Sequence, residues 1–194
     1  MTKYILIGGY IWKAPDGGKA LCEEFVKDLN KSPIKILDCM FARPKESWED
    51  KLEEDRIFFS KYINNVSLEM ADPDFFVEQV KSADIIYLKG GETKPLIDIL
   101  NKNPGWADEL DGKVLAGSSA GGDVMAKYYA VGKTGRISGE GLGLLPIKFI
   151  PHWQSETFDE YDIAWDKLYE GLKAYKEDLP IHTLKEGEFE VIWK

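Results

Sequence analysis

Four short apolar runs, Tyr4 to Ile7, Ile34 to Met40, Ile85 to Leu88 and Val114 to Ala116, alternate along the chain with segments of helical periodicity. The runs are too short for helices and apolar at nearly every position, so each predicts a strand covered on both faces. The intervening segments, Lys19 to Asn30, Trp48 to Asn64, Phe75 to Ser82 and Pro95 to Lys102, supply the crossovers that parallel neighbours need. The alternation predicts an α/β fold, a three-layer α/β/α sandwich around a mostly parallel sheet. Ser47 is placed to cap the second helix, with Glu49 and Asp50 in its first turn. Further on, Ile147 to Ile150 is apolar and Tyr161 to Tyr175 is helical. Pro180 to Trp193 reads as two short strands around Lys185-Glu186-Gly187, an antiparallel addition to the sheet.

A length of 194 residues suits a single domain over 1–194. With 44% hydrophobic and 30% charged residues the chain is globular rather than disordered. A net charge of −9 opposes non-specific binding to nucleic acid or anionic membranes, leaving small molecules or peptides as partners. The opening residues lack the pattern of a signal peptide, and no apolar stretch approaches about 18 residues, so a cytoplasmic protein is expected. Cys22 and Cys39 fall in a helical and a strand pattern and read as core residues. Neither they nor the two histidines offer metal-ligand spacing, and no metal or cofactor is expected. The expected state is a monomer or homodimer.

The turn Gly117-Ser118-Ser119-Ala120-Gly121-Gly122 joins the fourth apolar run to a helical segment, read as Asp123 to Tyr129. Gly117-x-Ser119-x-Gly121 has the form of a nucleophile elbow, in which tight backbone geometry requires small residues two positions either side of the nucleophile. A plain glycine-rich turn has the same letters, so the pentapeptide needs partners. The base is His152 or His182. His152 follows Pro151 at the end of an apolar run, where functional groups of open α/β sheets gather, whereas His182 lies within a short apolar stretch. Asp123, Glu140, Glu156, Asp159 and Glu186 are candidate acids, with Glu186 on a turn between two strand-like runs. One oxyanion donor is the N–H of Ala120. A second is the N–H of Gly91, in the strand-to-helix turn Lys89-Gly90-Gly91-Glu92-Thr93.

Taken in order, Gly90-Gly91-Glu92-Thr93, Ser118-Ser119-Ala120-Gly121 and Pro151-His152-Trp153 resemble the Gly-Gly-x-Thr loop, nucleophile turn and Pro-His-aromatic segment of the S51 serine peptidases, a family that includes dipeptidase E and cyanophycinase. Leu184-Lys185-Glu186-Gly187 resembles the turn that carries the family's triad glutamate. The resemblance implies a flavodoxin-like fold shared with class I glutamine amidotransferases. It also implies a Ser119-His152-Glu186 triad that hydrolyses a short peptide or isopeptide through an acyl-enzyme, an aspartyl dipeptidase among the activities. An aspartate shortly after the nucleophile has no counterpart here, since Ala130 to Ser138 contains no Asp or Glu. Arg136, Lys133 and Arg43 are candidate cations for an acidic substrate side chain. Two rival readings are an esterase of the α/β-hydrolase kind, which orders its triad Ser, acid, His, and a non-catalytic binding protein on the same fold.

Overall fold

The computed structural model describes residues 1–131, 136–156 and 163–194, the side chains of 136–138 excepted. In chain order the elements are β1 (Lys3–Ile7), α1 (Lys19–Val26), β2 (Ile34–Cys39), α2 (Trp48–Tyr62), β3 (Val66–Met70), α3 (Phe76–Ser82), β4 (Ile85–Leu88) and α4 (Thr93–Asn101). There follow β5 (Val114–Ser118), α5 (Ala120–Met125), β6 (Tyr128–Val131), β7 (Arg136–Glu140), β8 (Lys148–Ile150), α6 (Trp165–Ala174), β9 (Ile181–Thr183) and β10 (Phe189–Trp193). The main sheet has the order β10-β1-β5-β4-β2-β3, with β10 antiparallel to β1 and every other pair parallel.

Side-chain alternation along these strands divides the core into two layers. Ile5, Ile7, Ile34, Ile36, Ile85, Tyr87, Val114 and Ala116 face Leu21, Cys22 and Phe25 of α1 and Phe59 of α2. Tyr4, Leu6, Leu37, Ile86, Leu88 and Leu115 face Val80 of α3, Leu96 and Leu100 of α4, and Val124 and Met125 of α5. Each Val, Leu, Ile, Phe or Met side chain among these contributes roughly 1.5–3 kcal/mol by leaving water. The α/β sandwich expected from the alternation is thus the observed fold, and both cysteines are buried in it.

Several local expectations are corrected. The helix read as Asp123 to Tyr129 begins earlier, at Ala120, and stops at Met125. Tyr128 and Tyr129, at the end of that reading, instead open β6, because aromatic and β-branched residues there pair with β7 and β8. The pair of strands near the end is split between sheets. Only β10 adds antiparallel to the main sheet, while β9 pairs parallel with β8 in a second sheet of order β7-β6-β8-β9. Tyr128, Ala130 and Ile150 of that second sheet pack on Leu168 and Leu172 of α6. Ser47 precedes α2 without capping it, since its hydroxyl donates to the Pro44 carbonyl at 2.8 Å. The first helix ends at Val26 rather than Asn30. The sequence from Tyr161 is helical only from Trp165 among the described residues.

Candidate active site

Neighbouring β1, β5 and β4 all end on the same edge of the sheet, where Gly8-Gly9, Ser119 and Gly90-Gly91 follow their last residues side by side. Such a crevice outside the carboxyl ends of parallel strands is the usual place for ligands in open α/β sheets. Ser119 occupies the turn from β5 to α5 with φ 50° and ψ −108°, a strained conformation for a residue with a side chain. The turn is this tight because α5 is laid directly on β4, and a Cβ at Gly121 would overlap the Leu88 carbonyl. Gly121→Ala is therefore expected to destabilise the fold by about 3 kcal/mol. A lowered urea midpoint would register the loss, and an unchanged midpoint would refute this packing.

The loop after β1 organises the site through three consecutive carbonyls. Ile7 accepts the Ser119 N–H, Gly8 the His152 N–H and Gly9 the Gly187 N–H, each at 2.9 Å. One segment thus fastens the serine turn, the histidine turn after β8 and the glutamate turn between β9 and β10. Gly9, at φ 120°, is also the surface on which the imidazole rests, since a Cβ there would overlap the His152 ring. His152 itself is held in a left-handed conformation, φ 54°. Its Nε2 lies 3.0 Å from Ser119 Oγ and its Nδ1 3.3 Å from Glu186 Oε1. An ionised carboxylate only accepts, so the Glu186 contact favours a proton on Nδ1 and leaves Nε2 to accept from the serine hydroxyl. Ser155 Oγ donates to the same Oε1 at 2.6 Å, and Lys13 Nζ pairs with Oε2.

Ala120 follows the serine in the chain, and the Gly90-Gly91 loop reaches it through Gly90. Ala120 is the first residue of α5, so no preceding helical turn takes its N–H. Gly90 lies against Ser119, and a Cβ on it would be 3.3 Å from that of the serine. Glu92 N–H donates to the Ala42 carbonyl at 2.8 Å and fixes the loop that carries Gly91. Neither Gly90 nor Gly91 donates its N–H to a partner among the described residues.

The sequence profile of Peptidase family S51 matches residues 51–191. The chain belongs to peptidase family S51. No curated protein sequence matches it. Among solved structures, a candidate peptidase E of Listeria monocytogenes EGD-e is similar with a TM-score of 0.70 and 19% identity, over 99% of this chain and 97% of the other. A peptidase from an acI-B1 actinobacterium is similar with a TM-score of 0.67 and 23% identity, over 99% and 83%. These likenesses agree with the α/β architecture.

Within this S51 chain the remaining candidate acids lie elsewhere. Asp123, in the first turn of α5, accepts from Thr93 Oγ1 at 2.9 Å. Burial pushes its carboxyl well above the usual range, against the Thr93 hydrogen bond, which lowers it. Glu140 pairs with Lys176, Glu156 is exposed, and Asp159 lies outside the described residues. His182 contacts Glu190 at 2.8 Å. Of the candidate cations, Lys133 and the Arg136 side chain lie outside the described residues. Arg43 follows Ala42 beneath the Gly90-Gly91 loop.

Two polar groups went unread in the sequence. Lys13 and Ser155, which both hold Glu186, belong to loops far apart in the chain. Behind the Gly90-Gly91 turn, Lys89 pairs with Asp55 of α2, and Asp38 lies buried beside them. Burial first, and then the Asp55 charge, push the Asp38 carboxyl well above its ordinary value. The visible signal was a charged residue within each of two apolar strand ends, Leu37-Asp38-Cys39 and Leu88-Lys89-Gly90.

Proposed function

We propose that this S51 peptidase is a serine hydrolase that cleaves a short peptide or isopeptide through an acyl-enzyme on Ser119. The observation that carries the reading is the 3.0 Å contact between Ser119 Oγ and His152 Nε2 at a strained strand-to-helix turn. His152 takes the serine proton as Oγ bonds to the carbonyl carbon. The N–H groups of Ala120 and Gly91 hold the resulting oxyanion. The protonated imidazole then gives its proton to the departing amine as the C–N bond breaks. Water, activated by the same imidazole, releases the acyl group and restores the serine. Glu186 keeps Nδ1 protonated and stabilises the imidazolium. A dipeptide library assayed with wild type and Ser119→Ala tests the reading and finds the acyl residue, aspartyl or other.

Burial lowers the His152 pKa below the ordinary value near 6.5, Glu186 works against this, and the Lys13 charge adds to the lowering. A general base must be neutral, so activity is lost as pH falls through this lowered pKa. The acid limb of kcat/KM, which reports the free enzyme, is therefore expected below pH 6.5. Lys13→Met should move that limb upward. An acid limb above 6.5 in wild type, or one shifted downward in Lys13→Met, would contradict this assignment of the base.

A further inference from the structure

The loop that carries Gly9 continues into Tyr10-Ile11-Trp12-Lys13, and its aromatic rings extend outward from the imidazole. The Tyr10 ring lies 5.3 Å from that of His152, centroid to centroid and tilted by 59°. Trp12 meets Tyr10 edge-on at 5.2 Å. Ile11 between them is buried and anchors the loop, whereas Trp12 is 61% exposed. Tyr10 is held in the left-handed region, φ 40° and ψ 52°, a strained conformation for a bulky residue. A strained backbone thus keeps one aromatic ring against His152 and presents a second to solvent, two ring contacts from the base.

The following rests on the serine-peptidase reading. In acyl transfer the leaving amine receives its proton from the histidine, so the residue after the scissile bond lies on the imidazole side. The acyl portion lies over Ser119 and the oxyanion donors. We propose that Tyr10 and Trp12 form the subsite for the residue that follows the scissile bond, and that this subsite takes an aromatic or large apolar side chain. Offset and edge-on ring contacts favour aromatic groups there. Lys13 Nζ, 4.9 Å from the Tyr10 ring centroid, puts a positive charge on the same rim and disfavours lysine or arginine.

The test is a competition among peptide pools in which the residue before the scissile bond is randomised and the residue after it is Phe, Leu, Gly or Lys. Relative release rates read relative kcat/KM. Wild type should release Phe over Gly by about three- to tenfold, the size expected of such ring contacts, with Leu between them and Lys last. Trp12→Ala should reduce the Phe-to-Gly ratio, and Trp12→Phe should retain most of it. A ratio equal in wild type and Trp12→Ala overturns the subsite. So does a Trp12→Ala variant that keeps the ratio but changes sedimentation, which would make the indole a contact between two copies of the chain. Fluorophosphonate labelling of wild type separates the failures. Labelled Ser119 with flat ratios removes the subsite alone, whereas unlabelled Ser119 removes the serine-peptidase reading and the subsite with it.

Discussion

Replacing Ser119 with alanine should lower kcat/KM for peptide hydrolysis by about 10⁴-fold or more, because the proposed acyl-enzyme pathway would be lost and only binding and oxyanion stabilisation would remain. The substitution removes one oxygen whose described hydrogen-bond partner is His152 Nε2. The turn's other constraints are backbone contacts, including the Ser119 N–H to the Ile7 carbonyl, and these persist in the variant. Urea unfolding should therefore place the variant within about 1 kcal/mol of wild type, the net worth of one hydrogen bond. A variant with a tenth or more of wild-type activity would show that the nucleophile is another group.

Glu186→Gln should lower kcat/KM by about 10³-fold. The neutral amide keeps the shape of the side chain but loses the charge that stabilises an imidazolium. An amide can also turn its NH₂ toward Nδ1, selecting the tautomer with the proton on Nε2, where it cannot accept from Ser119. The 3.3 Å separation from Nδ1 is longer than an ideal charge-assisted contact, so the loss falls below that of the serine variant. Because Ser155 and Lys13 hold the same carboxylate, Glu186→Ala should also disorder the turn and cost stability. Activity of Glu186→Gln within threefold of wild type would remove Glu186 from the site chemistry.

Both substitutions act on groups visible in the sequence, and the reason is physical. Strands β1, β2, β4 and β5 are covered on both faces, so they read as continuous apolar runs whose ends mark the crevice. The edge strand β3, Val66 to Met70, alternates half-buried and exposed residues and is too short to stand out from the turn before it. Tyr128 and Tyr129, the first half of β6, read as the end of the elbow helix, because Tyr128-Tyr129-Ala130 suits either period until β7 and β8 pair with it. Glu186 was legible as a carboxylate on a turn. What placed it beside His152 was the register of two strands in different sheets, β9 against β8 and β10 against β1. The segment Ile7-Gly8-Gly9 carries no reactive side chain, and only the folded chain shows that its three carbonyls fasten all three turns. Lys13 and Ser155 gave no local signal at all, since their partner is more than thirty residues away in each case.

The most direct measurement is intact-protein mass spectrometry after treatment with a fluorophosphonate, followed by peptide mapping. The serine-hydrolase mechanism predicts one adduct per chain, located on Ser119, absent from Ser119→Ala and formed far more slowly in His152→Ala. An unmodified Ser119 in the folded wild-type protein, or an adduct on another residue, would contradict it.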